Sequence, residues 1–162
     1  MMAPQLDYQN DDALPCPERA QVEHWIATAL AEAGAGDACE LTVRIVASAE
    51  MQALNHRYRG IDSPTNVLAF EAELPPGIDL PLLGDIVICA PVVEREAAQQ
   101  GKPASAHWAH MAVHGALHLL GHDHQDSDQA DAMEHLETVI LARLGFPDPY
   151  DTPPTMETPT PQ

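Results

Sequence analysis

The stretch HMAVHGALHLLGHDH, residues 110–124, holds five of the chain's nine histidines in fifteen positions. His110, His114, His118 and His122 recur at every fourth residue, and His124 breaks the interval. Side chains four apart on a helix stack on one face. His114 and His118 can therefore offer both rings to one ion, in the geometry of the two histidines of HExxH zinc sites. His110 is too distant to be a third ligand. It stands eight residues from His118, about 12 Å of helix axis at 1.5 Å per residue. Rings bound at about 2.0–2.1 Å do not bridge that from a straight helix.

The third donor is expected where the chain turns back, and Gly121 supplies the turn because glycine accepts the left-handed conformation that ends helices. The segment then reads H-x3-H-x2-G-x2-H across His114, His118, Gly121 and His124. This is the metzincin ligand spacing with one difference: Gly115 stands where the Glu after the first His belongs. In zinc peptidases that Glu is the general base. A zinc held by three imidazoles lowers the pKa of its water to about 7 without it. The site therefore suits a hydrolysis in which the metal makes the nucleophile and another group meets the substrate's charge, and it speaks against peptide hydrolysis. His122 competes on helical spacing alone, but the turn at Gly121 aims 122 and 124 differently, and His124 is the expected ligand. His110 is expected to pack or to back a ligand, while His107 and His135 read as surface or core residues. Asp123 either orients a ligand imidazole or lies exposed in a loop. Imidazole donors suit zinc, nickel, copper or iron, and one zinc ion is the expectation.

The chain's 162 residues suffice for one domain with a core, expected over residues 1–150. The tail DTPPTMETPTPQ, 151–162, is rich in Pro and Thr without apolar periodicity and is expected to be disordered. No apolar run approaches the ~20 residues of a membrane span, and MMAPQLDYQNDD has neither the basic nor the apolar segment of a secretion signal. Cys16, Cys39 and Cys89 form no CxxC, which fits reduced thiols in a cytoplasmic protein. The formal net charge of −18 speaks against nonspecific polyanion binding through a general basic surface. Two windows escape that acidity. Residues 41–70 set Arg44, Arg57 and Arg59 against Glu50 and Asp62, and residues 91–120 set Arg95 and Lys102 against Glu94 and Glu96. The second window contains most of the histidine cluster.

Strands are expected at 6–10, 41–47, 65–74 and 82–90. Helices are expected at 17–33, from Ser48 as cap to Gly60, through VVEREAAQQ to Gly101, at 104–120, and from about 128 to 144 with Asp126 or Ser127 as cap. The elements do not alternate strictly, so α+β is the fold class.

HGALHLLGHDH resembles the HGxLHLxGYDH signature of the YbeY family of metal-dependent endoribonucleases. LNHRYRGIDSPTNVLAF (54–70), LLGDIVIC (82–89) and LETVILARLGFPDPY agree with the same family in the same order. His122 stands where the family usually has tyrosine. The resemblance implies a zincin-like α+β fold, a mixed sheet of about four strands packed with about five helices, and a zinc held by His114, His118 and His124. It implies single-strand-specific cleavage in ribosomal RNA processing near the 3′ end of the small-subunit RNA, together with ribosome quality control. The implied partners are single-stranded RNA, ribosomal RNA, and the ribosome or small-subunit assembly proteins, with no membrane. The family's important arginine falls on Arg59.

Phosphoryl chemistry asks for such a residue, because a guanidinium grips the non-bridging oxygens bidentately. Arg59 and His114 are thus the catalytic candidates, and Arg59 and Asn66 the substrate-binding ones. Asn66 and Thr65 either line the cleft with donors or only close a turn, Asp85 either joins the site or finishes a turn, and Arg57 reads as a solvated helix-end residue. The rival function is a metal-stabilised ribosome-assembly factor that binds without cutting, and a zinc peptidase comes third. The acidity predicts weak intrinsic affinity for RNA, so a partner is expected to dock the enzyme on its substrate.

Overall fold

The computed structural model describes residues 4–35, 39–78, 81–122 and 126–150. The expected tail at 151–162 lies outside the described residues. The elements run β1 (Gln5–Gln9), α1 (Arg19–Glu32), β2 (Glu40–Val46), α2 (Ser48–Arg59), β3 (Val67–Glu71), β4 (Leu82–Cys89), α3 (Ala90–Gln100), α4 (Ala104–Leu119) and α5 (Ser127–Arg143). The sheet order is β1-β2-β4-β3, with β1, β2 and β4 parallel and β3 antiparallel to β4 at the edge. This is the expected mixed α+β sheet with five helices, compatible with a zincin-like arrangement. Among the described residues no helix is long and apolar enough to cross a membrane.

Strand side chains alternate between faces, and the two faces meet different helices. Leu41, Val43, Ile45, Ile86 and Ile88 join the main core with α1, α4 and α5. Val87, Cys89, Leu68 and Phe70 turn the other way toward Met51 and Leu54 of α2. Helix α4 is buried on most sides, including Trp108, Ala109, Ala112, Val113, Ala116 and Leu117. A helix apolar all round belongs inside a fold, and α4 lies among α1, α3, α5, β3 and β4. Trp108 is 2 % exposed and satisfies its indole N–H on Glu94 at 2.6 Å. Truncating it to alanine is worth about 3–5 kcal/mol.

Local chemistry explains most boundaries. Glu18 and Gln21 form a capping box at α1, so Pro17 lies ahead of the helix rather than in its first turn. Ala47, not Ser48, is the N-cap of α2, without a side-chain bond, and Ser48 is already helical. Helix α3 begins at Ala90, earlier than the apolar pattern predicts, because Pro91 suits a first helical turn. Asp126 caps α5 as expected, its Oδ1 accepting from the Gln129 amide at 2.8 Å. Strand β3 is shorter than its β-forming run. Gly84 marks a register skip in β4, with Glu40 opposite Leu82 and Leu41 opposite Gly84. Its φ is +139°, and a Cβ there would stand 2.0 Å from the Phe70 carbonyl oxygen.

Candidate metal and substrate cleft

Helix α4 ends as the sequence suggests. Gly121 has φ +94°. Its N–H donates to the His118 carbonyl at 3.0 Å and the His122 N–H to the Leu117 carbonyl at 3.1 Å. Those two bonds make a Schellman closure. His122 thus gives its backbone to ending the helix. His124 and Asp123 lie outside the described residues.

One turn earlier, His114 and His118 face each other with their rings 4.6 Å apart and their Nε2 atoms separated by 3.1 Å. Two nitrogens on a tetrahedral zinc at about 2.0–2.1 Å lie about 3.3 Å apart, so this spacing fits a shared ion. Behind His114, Glu137 of α5 meets its Nδ1 at 2.6 Å. An ionised carboxylate only accepts, so Nδ1 carries the proton and the Nε2 lone pair faces His118. This histidine–carboxylate arrangement typically orients a metal ligand. Among the described residues no group of three His, Cys, Asp or Glu side chains gathers as a metal site, which leaves the two imidazoles as the described part of the expected ligand set.

Glu137 does more than back one ligand. It is 0 % exposed, and its other oxygen meets His110 Nε2 at 2.9 Å and accepts the Tyr150 hydroxyl proton. Burial alone pushes this carboxyl up, and the bonds from His110 and His114 outweigh it and hold the pKa at about 2. His110 is buried and shares this carboxylate with His114. Burial, followed by the bond to Glu137, also raises the Tyr150 hydroxyl above its ordinary value. Glu137 and Tyr150 lie in LETVILARLGFPDPY, but the sequence reading assigned neither a role. A signal for Glu137 existed: it shares the buried stripe of α5 with Met133, Ile140 and Leu141, where an apolar residue belongs.

A cleft of about 580 Å³ opens between α4 and β3, lined by Arg59, Thr65, Asn66, Val67–Ala69, His110, His114, Gly115, His118 and Tyr150. It brings together Arg59, Asn66, His114 and His118. Arg59 closes α2 just before Gly60, whose φ is +72°. Asn55, buried in α2, donates to the Ser63 carbonyl at 2.8 Å and so ties down the loop leading to Thr65 and Asn66. Asn66 is itself anchored. Its Nδ2 donates to Glu96 Oε1 at 3.0 Å, and the same oxygen meets His107 Nε2 at 2.8 Å. One amide N–H is thus committed to α3, and Oδ1 is the acceptor it retains. His107 is a core residue, and His135 is exposed. Asp85 sits within β4 opposite Thr42 and Phe70, on the face away from Ile86, and is not part of the cleft lining.

Gly115 lines the cleft for a packing reason. A Cβ there would stand 2.7 Å from Ile86 Cγ2 and 3.2 Å from two further Ile86 carbons. Ile86 is fully buried in β4. The position that bears the peptidase glutamate is here a close helix-to-strand contact.

The comparisons agree with this architecture. The family model described as Endoribonuclease YbeY matches residues 7–145. A relative named Endoribonuclease YbeY from Alkalilimnicola ehrlichii is 58% identical over 83% of this chain and 82% of its own length. One of the same name from Halorhodospira halophila is 55% identical over 90% and 96%, and one from Cellvibrio japonicus 52% over 91% and 83%. A solution structure from Thermotoga maritima shares the fold at a TM-score of 0.53 and 18% identity, covering 91% of this chain and 99% of that one. With most of its length matched by the family model and by relatives more than half identical, the chain belongs to the endoribonuclease YbeY family.

Proposed function

We propose that this protein is a zinc-dependent endoribonuclease that cuts single-stranded RNA in ribosomal RNA processing, at the 3′ end of the small-subunit RNA, and serves ribosome quality control. The observation that carries the reading is the cleft itself, where Arg59 and Asn66 share a wall system with the paired Nε2 atoms of His114 and His118. His114, His118 and His124 would hold the ion, which supplies Lewis-acid charge to a phosphoryl oxygen when bound. Arg59 takes two non-bridging oxygens of the scissile phosphate and meets the charge that grows on them. Asn66, fixed by Glu96, offers its amide oxygen to a sugar or base donor. Glu137 keeps the His114 proton on Nδ1 and the ring in place.

The net charge of −18 supports docking through the ribosome or a small-subunit assembly protein, in the cytoplasm, rather than unaided capture of RNA. The test is cleavage of a single-stranded oligonucleotide by purified chain, with metal analysis and with Arg59→Ala and His114→Ala beside the parent. Both variants are expected to lose at least about 100-fold in rate, the scale of one transition-state charge contact. Folded variants that cut as fast as the parent would sink the catalytic roles and leave the non-catalytic assembly factor. A 2′,3′-cyclic phosphate on the product would assign the attack to the RNA's own 2′-hydroxyl. Retention of metal by His124→Ala and its loss in His122→Ala would transfer the third ligand to His122.

A further inference from the structure

The end of α2 carries an aromatic group that the chemistry above leaves unused. Tyr58 is 56 % exposed yet held in place. Its ring meets Phe70 edge-on, with centroids 5.0 Å apart at 61°, and the Arg57 guanidinium lies over it at 5.3 Å from the centroid. Arg59, next in the chain, lines the cleft, so the ring stands one residue from it, on the α2 side of the edge strand where Phe70 points.

The charge here is unusual for this chain. It has seven Lys and Arg against 25 Asp and Glu. Arg44 and Arg143 are paired with Glu50 and Glu32, and Arg19 is bound to the Leu6 carbonyl. Among the described residues no carboxylate pairs with Arg57 or Arg59. Asp62, an acid in the following loop, accepts from Gln52 at 3.1 Å.

We infer that Tyr58, with Arg57 over its ring, is a stacking platform for an unpaired base flanking the nucleotide whose phosphate meets Arg59. The inference rests on the proposed function and adds a substrate-positioning residue to it. A base stacks on any aromatic face irrespective of sequence, and a nearby arginine adds cation–π attraction and a phosphate contact. A base within a duplex is already stacked and cannot use the platform, so the arrangement favours single strands. A ring already fixed by Phe70 loses little freedom when the base arrives.

The experiment uses the full zinc-loaded chain. Binding is read by fluorescence anisotropy on a single-stranded 2′-O-methyl oligonucleotide, and cleavage on its ribose counterpart. Tyr58→Ala should weaken binding and raise KM about tenfold, within the range for loss of one base–aromatic stack, with kcat within about twofold. Tyr58→Phe and Tyr58→Trp should stay within about twofold of the parent in binding. An abasic scan of the oligonucleotide should find one position whose missing base weakens the parent about as much as Tyr58→Ala does, and costs Tyr58→Ala nothing further. The inference is overturned if Tyr58→Ala binds like the parent, if Tyr58→Phe loses as much as Tyr58→Ala, or if abasic losses add to Tyr58→Ala at every position. A parent that neither binds nor cuts RNA would remove the proposed function and this inference together. A parent that does both while Tyr58→Ala matches it would remove this inference alone.

Discussion

The histidines of helix α4 lean on a glutamate at two places. Near its start His107 meets Glu96 of α3, and further along His110 and His114 meet Glu137 of α5. The side chain of Glu96 is 27% exposed and that of Glu137 1%. Glu96 spends one oxygen on His107 and Asn66 and so steadies a residue of the cleft wall. Glu137 spends both oxygens on two imidazoles and a phenol and so fixes the orientation of a candidate ligand. The same pair of residue types is a brace in one place and the keystone of a buried network in the other. Solvent decides which, because a carboxylate without water must find all its partners inside the protein.

Glu137→Ala tests that contrast with the largest expected effect. It leaves two imidazoles and a hydroxyl without their acceptor, and chemical denaturation should register a loss of about 3–5 kcal/mol. Glu137→Gln keeps the volume, and chelator competition should show metal affinity down about 10–100-fold. Equal metal affinity in Glu137→Gln and the parent would erase the distinction between the two glutamates. Gly115→Ala pushes α4 away from Ile86 beside the Glu137 network and should cost about 1–3 kcal/mol, despite the better helix propensity of alanine. A stabilised Gly115→Ala would mean that Ile86 yields freely. Asp126→Ala removes the cap of the helix that carries Glu137 and should cost about 1 kcal/mol. Glu96→Gln should cost no more than about 1 kcal/mol, raise KM through Asn66, and leave metal content intact; loss of metal here would merge the two regions into one.

The smallest effect is on pH. Burial lowers the His107 pKa below its ordinary 6.5, against the pull of Glu96. Below about 6.5 the unfolded chain takes up a proton that the folded chain refuses, so stability falls as pH drops through that window. His107→Gln should flatten the pH dependence of the melting temperature as pH falls below about 6.5, and an unchanged slope would remove His107 from the account.

Much of this was written in local pattern. The four-residue spacing of His114 and His118, the turn at Gly121 and the cap at Asp126 each depend on contacts within a few residues, and the structure reproduces them. The distance argument against His110 also needed only helix rise. Glu137 and Tyr150 were not legible in that way, because they reach His110 across 27 and 40 residues through the docking of α5 on α4. Glu96 was hidden for the same reason, since its meaning depends on α3 lying against α4. Ser48 was misjudged as a cap because the chain enters α2 one residue earlier, at Ala47.

The contact between Gly115 and Ile86 sets the number of steps between this scaffold and a peptidase. A single Gly115→Glu change would drive its Cβ into the sheet before the carboxylate could reach any water in the cleft. Ile86 would have to shrink first, and that opens a cavity in the core at a cost of about 2–5 kcal/mol. The intermediate would be a weakened fold with no new chemistry. A designer seeking proteolysis from this chain must therefore change strand and helix together.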